Sequence, residues 1–164
     1  MAKTGFFAAI ASALAAALLP ACDAVNLPQI QPGVTTAAEV EQRMGEPGFR
    51  FSNADGTVTW EYSRQPMGVQ CWMISFDQRQ IVSRVEQVLN DEHYAAVRPG
   101  MSHEQIRRLL GAPGSRTVFN NLREEVWEWR IEGVPVMDET YFMVHFDSGS
   151  GTVRKTSRRV QPKG

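Results

Sequence analysis

Disulfides are not what holds this chain together. Only two cysteines, Cys22 and Cys71, occur in 164 residues, so one intramolecular bridge is the most it could form, and none if either thiol is otherwise engaged. Charge of one sign is also missing. The balance is −1, with 17 Lys and Arg against 18 Asp and Glu, and nothing basic enough stands out to suggest nucleic acid. Histidine is scarce. His93, His103 and His145 are the only three, and their separations match no metal-ligand spacing. No serine sits in a nucleophile-elbow pattern, and no glycine-rich phosphate loop follows a strand. The sequence therefore predicts no catalytic residue, no bound metal and no small-molecule substrate, and a fold that rests on its apolar core.

Long hydrophobic runs are absent apart from one at the N-terminus. After Lys3, the stretch from Gly5 to Ala21 carries no charge and is mostly Ala, Leu, Phe and Ile. A positive residue ahead of such a run reads as a secretory h-region. The competing reading is a transmembrane helix, since the run approaches the ~20 residues needed to span a bilayer. It ends Leu19-Pro20-Ala21-Cys22, which resembles the lipobox of bacterial lipoproteins. The resemblance implies cleavage between Ala21 and Cys22, with diacylglycerol and an N-acyl chain on Cys22, the one covalent group expected and the only substitute for a cofactor. Lipidation changes the expectation from spanning the membrane to being anchored to it. Residues 1–21 are then a signal peptide, and residues 22–32 a lipidated N-terminus and tether. Asp23 to Pro32, extended at ~3.1 Å per residue, reaches roughly 30 Å. With Cys22 acylated, Cys71 stands alone in a strand-like run (VQCWMISF), either as a small buried hydrophobe or, given a cationic neighbour, as a reactive thiol.

What the chain has in plenty is self-similarity. Residues 32–48 read PGVTTAAEVEQRMGEPG and residues 99–114 read PGMSHEQIRRLLGAPG. Gly33 and Gly100 are 67 residues apart (100 − 33). Trp60-Glu61-Tyr62 answers Trp127-Glu128-Trp129, and Met73 to Asp77 answers Met143 to Asp147. A period of this length predicts a duplicated structural unit. In the second copy Ser102 and Gln105 form a capping box, with Met101 and Ile106 as a hydrophobic staple. Ile106, Leu109 and Leu110 make an apolar stripe, Gly111 suits a left-handed cap, and Pro113 stops the helix. Arg107 and Arg108 are expected on the solvated face. In the first copy Thr36 and Glu39 form the box, and Gly45 and Pro47 end the helix. Strands are expected at 57–62, 69–76 and 81–88, and again at 126–131, 140–146 and 152–157. Asn90 and Asp91 cap a short helix through Val97, with no counterpart expected in the first copy.

The glycine, capping and Leu-Gly-x-Pro positions Gly100, Met101, Ser102, Leu110, Gly111 and Pro113, with Trp127, Phe146 and Asp147, resemble the SmpA/OmlA (BamE-like) lipoprotein family. Gly33, Thr35, Gly45, Pro47, Trp60, Phe76 and Asp77 repeat the pattern. The resemblance implies an α+β fold of two tandem BamE-like units over residues 33–89 and 90–164. Each would be a short helical lead-in followed by a three-stranded antiparallel meander, with the helices packed on one face of a combined sheet. It also implies a non-enzymatic envelope lipoprotein that assists outer-membrane β-barrel assembly or envelope integrity, with other envelope proteins as partners. The expected location is the periplasmic side of the outer membrane of a Gram-negative bacterium; Asp23, next to the acylated cysteine, makes the inner membrane the alternative. Because family members usually hold one unit, the tandem also suggests a second function, a periplasmic binding module similar in plan to tandem β-lactamase inhibitor proteins.

Two surfaces are the candidate sites. Trp60, Tyr62, Trp127 and Trp129 occupy matching strand positions and are either core or an aromatic partner-binding face. Arg154, Lys155, Arg158 and Arg159 are either a solvated strand edge or a contact for anionic lipid head groups. Gly33, Gly45, Pro47, Gly100, Gly111 and Pro113 are read as structural punctuation.

Overall fold

The capping residues of each repeat build the helix they predict. The computed structural model describes residues 25–133 and 138–162; the expected signal peptide, the Ala21–Cys22 junction and Asp23 lie outside the described residues. Helix α1 spans Ala37–Met44, α2 spans Asp91–Ala96 and α3 spans His103–Leu110. Both capping boxes are closed. The Thr36 amide donates to Glu39 at 2.8 Å and the Ser102 amide to Gln105 at 2.8 Å, and each capping hydroxyl takes the return bond. Gly45 (φ 78°, ψ −170°) and Gly111 (φ 75°, ψ −172°) end α1 and α3. This is not the left-handed cap expected from sequence. It combines positive φ with extended ψ, a region in effect reserved for glycine.

Four strands follow α1: β1 Phe49–Ser52, β2 Val58–Ser63, β3 Cys71–Phe76 and β4 Val82–Gln87. Four more follow α3: β5 Ser115–Phe119, β6 Glu124–Ile131, β7 Glu139–Asp147 and β8 Thr152–Gln161. Each set is an antiparallel meander in chain order. The three-stranded meanders expected from sequence are thus four-stranded. The added strands, β1 and β5, are edge strands with mostly exposed residues, so they carry no clear burial alternation. The Phe-Asp pair that closes the repeated pattern makes the turn after each third strand. Asp77 accepts the amides of Arg79 and Ile81, and Asp147 those of Gly149 and Ser150, all within 3.0 Å.

The two meanders do not join into one sheet, which corrects the expected arrangement of helices on a single combined face. Trp60, Tyr62, Ile74, Phe76 and Val82 of the first sheet bury against Ala37 and Val40 of α1. The alternate residues, Phe51, Cys71 and Met73, belong to a second core with Ile106 and Leu110 of α3 and with Trp127, Trp129, Val144 and Phe146 of the second sheet. The layers therefore run α1, first sheet, α3, second sheet. The first sheet is covered on both faces. Tyr94 of α2 stacks on Phe142 at 4.5 Å, on the α3 side of the second sheet.

The first copy also has a counterpart of α2. A helical turn over Leu27–Gln29 places Leu27 and Ile30 in the α1 core, where their repeat partners 67 residues on (94 − 27 and 97 − 30) are Tyr94 and Val97 of the other core. The Asn26 amide donates to the Arg43 carbonyl at 2.7 Å. The expected tether through Pro32 is thus packed onto the fold from about Asn26 onward.

Candidate functional site

The paired aromatics are core. Trp60, Tyr62, Trp127 and Trp129 keep 6%, 2%, 4% and 0% of their surface, so these four side chains fill the interior and do not make an exposed face. Their polar atoms explain why the positions repeat. The Tyr62 hydroxyl donates to the Gly45 carbonyl at 3.1 Å, and the Trp129 indole N–H donates to the Gly111 carbonyl at 3.3 Å. Each ring thus closes the free carbonyl at its helix end while filling the space beneath it.

The four candidate basic residues all lie on β8, which continues past the expected end at Ser157 to Gln161. Alternation along β8 sends Arg158 to the helix side, where it lies over Tyr94 and pairs with Asp91, and sends Lys155 and Arg159 to the opposite face. Arg159 pairs with Glu128 at 3.2 Å and lies over Tyr141, and Arg154 pairs with Asp147. The four cations are therefore spread over two faces, and the three arginines have carboxylate partners.

Contact between the halves is where the chemistry concentrates. Glu61 retains 1% of its surface, and its carboxylate faces Arg107 of α3 at 3.5 Å. Arg107 also covers the Phe49 ring at 4.2 Å, and Arg108 covers Phe51 at 5.0 Å and donates to Asn53 at 3.1 Å. These two arginines, expected to be solvated, join α3 to the first sheet. A second clasp comes from the loop after β2. The Gln65 amide donates to the Arg130 carbonyl at 2.7 Å and accepts the Arg130 N–H at 3.0 Å, as a neighbouring strand would. Gly111 permits the approach, because a Cβ there would lie 2.3 Å from the Cys71 sulfur. Burial pushes the Cys71 thiol well up, with Glu61 adding to the effect. Its thiolate is thus suppressed, and the buried-hydrophobe reading fits.

A cleft of about 580 Å³ opens beside this contact, between β1, α3 and the β5–β6 edge. Arg116 covers Trp127, which lines the cleft, at 4.2 Å; Arg50, at the corresponding position of the first sheet, covers Trp60 at 4.9 Å on the α1 side. Glu125 accepts the Trp127 indole N–H at 2.5 Å and faces His103 at 3.1 Å, and His103 stacks on Phe146 at 4.1 Å. His103 is half-buried in this stack. Sequence reasoning missed the cleft because it is built from both repeats at once. The one available signal was arginine at matching positions 50 and 116.

His145 lies on the other face of the second sheet. Its Nε2 is 2.7 Å from the Ser157 hydroxyl, and its Nδ1 approaches Glu124 at 3.2 Å, off the hydrogen-bond direction. The three side chains sit in line on β6, β7 and β8. Neither this cleft nor the smaller one near Gln65 is lined by Ser157, so the line reads as a polar ladder across strands. Among the described residues no cluster of His, Cys, Asp and Glu could hold a metal ion, and no helix is long and apolar enough to cross a membrane.

Residues 86–155 match the family model of the outer membrane protein assembly factor BamE domain. No curated protein matches the chain. Among solved structures, similarity is found to a putative β-lactamase inhibitor protein from Streptococcus mutans, at 12% identity and TM-score 0.34, covering 84% of this chain and 95% of that one. An extracellular protein containing an SCP domain from Bacillus anthracis is similar at 11% identity and TM-score 0.32, covering 83% of this chain and 45% of that one. A DUF4309 family protein from Bacillus subtilis is similar at 15% identity and TM-score 0.31, covering 82% of each.

Proposed function

We propose, from the premise that residues 86–155 are a BamE domain, that the chain is a non-enzymatic accessory lipoprotein of the cell envelope. On this reading it acts as a scaffold in outer-membrane β-barrel assembly, and it is held to the outer membrane by lipid on Cys22. The domain match is the observation that carries the reading. Residues 33–89 are read as a second unit of the same kind. Support for this is the same capping box, the same glycine cap, the same aromatic bond to that glycine's carbonyl and the same aspartate turn. Partners would be other envelope proteins.

The alternative, a module that captures an enzyme on an aromatic sheet face, loses its motivation with the burial of all four aromatics. Anionic head groups remain a proposed contact for Lys155, the basic residue of β8 that is both exposed and free of a carboxylate partner among the described residues.

Co-purification from solubilised membranes tests the main reading. The assembly machinery's subunits should accompany the protein, and deletion should lower barrel-protein levels and detergent resistance. Absence of both effects overturns the proposal. For the anchor, Cys22→Ser should move the protein out of the membrane fraction. Unchanged fractionation would refute lipidation there.

A further inference from the structure

The cleft between the halves opens along an unpaired strand edge. Residues Phe49, Arg50, Phe51 and Ser52 all line it. Alternate residues of a strand face opposite sides, so four in a row line one space only where the space runs along the strand's side. β1 is the outer strand of its sheet. Its hairpin closes with the Asn53 N–H on the Thr57 carbonyl at 3.0 Å. In an antiparallel ladder the bonding residues alternate. Phe51 therefore turns its main chain inward to β2, and Arg50 and Ser52 turn theirs to the open edge.

The wall opposite this edge carries Arg116. Its guanidinium carbon lies 4.2 Å from the centre of the Trp127 ring, and among the described residues its N–H groups have no acceptor, which leaves them for a ligand. Arg50, Arg107 and Arg108 each have a carboxylate, from Glu41, Glu61 and Glu104. Arg116 has none among the described residues. The cleft thus joins a row of free main-chain donors and acceptors to one held, unneutralised cation. A peptide strand satisfies both: its main chain pairs with the edge, and a side-chain carboxylate meets the Arg116 N–H groups.

We infer that this cleft receives an extended acidic segment of a partner protein, added as a fifth strand beside β1 with one carboxylate on Arg116. The site is formed by both halves and does not depend on the assembly machinery being the partner.

The test titrates the full chain into a fluorescein-labelled peptide of four Val-Glu repeats, followed by anisotropy, with a Val-Lys peptide as control. The Val-Glu peptide binds and the Val-Lys peptide does not. Arg116→Gln weakens binding about tenfold, as expected for a lost charge-assisted pair. Ser52→Pro, which removes an N–H on the open edge, weakens it about fivefold. Should Ser52→Pro lower the Tm, exchange of the Arg50 and Ser52 amides in the wild-type chain decides the point, because both must slow when the peptide is added. No binding, binding indifferent to Arg116, or unchanged amide exchange overturns the inference. Phosphatidylglycerol vesicles whose binding needs Arg116 but not the Ser52 N–H would assign the cleft to a head group and overturn it as well.

Discussion

Gly45 and Gly111 adopt nearly the same backbone conformation but stand in different surroundings, and the pair separates two causes of cost. A Cβ at Gly45 meets nothing within 4 Å, whereas one at Gly111 meets the Cys71 sulfur at 2.3 Å. Gly45→Ala should cost the backbone strain alone, about 2 kcal/mol. Gly111→Ala adds the collision and should cost about 4 kcal/mol. Cys71→Ala should recover part of the second loss and none of the first, as read by urea denaturation. Equal costs at the two glycines would show that the contact between halves is loose. Tyr62→Phe should cost about 1 kcal/mol through the bond lost at the Gly45 carbonyl. Asp147 gives a pH signature. The Ser150 amide, with those of Gly149 and the Arg154 guanidinium, holds its pKa down at about 2 from 3.8. Because the folded value is depressed, the turn's contribution is present above pH 3.8 and fades as pH falls toward 2. The Gly149 and Ser150 amide resonances should move with a midpoint near 2. A midpoint at 3.8 would mean the turn is not held by this carboxylate.

Among elements, the helices were legible and the first strand of each sheet, β1 and β5, was not. Capping boxes, staples and stop signals are local, so α1 and α3 appear in the sequence where they appear in the fold, and Thr36→Ala or Ser102→Ala should each cost about 1 kcal/mol by thermal melting. The inner strands were legible to within two residues, because their alternation records burial. β1 and β5 leave no such record, since each faces solvent or the cleft. The role of α3 was hidden for a different reason. Its apolar stripe points to one sheet and its two arginines to the other, and an arginine laid on a phenylalanine ring is spelled the same as a solvated one. The aromatics were visible as a pair; that they serve as core depended on knowing which face α1 and α3 cover.

For the molecule as a whole, the Glu61–Arg107 contact decides whether the halves act as one body. Glu61 is inside the protein; its repeat partner Glu128, the same letter in the same register, sits on the uncovered face of the second sheet with Arg159. Arg107→Ala strands a buried carboxylate and should cost about 3 kcal/mol, with Glu61→Gln in the same chain recovering part of it. Glu128→Gln should cost less than about 0.5 kcal/mol. If the two single substitutions cost the same, α3 does not bury Glu61 in solution.

The layer order also sets the tempo of folding. Within each sheet every strand pairs with its neighbour in sequence, so both meanders close short loops and can form early. The inner face of the first sheet is different, because nothing in its own half covers it. It stays wet until α3 arrives from the second repeat. Docking of α3 is therefore the late, long-range event, and the first half should remain open to proteases until the second has been made.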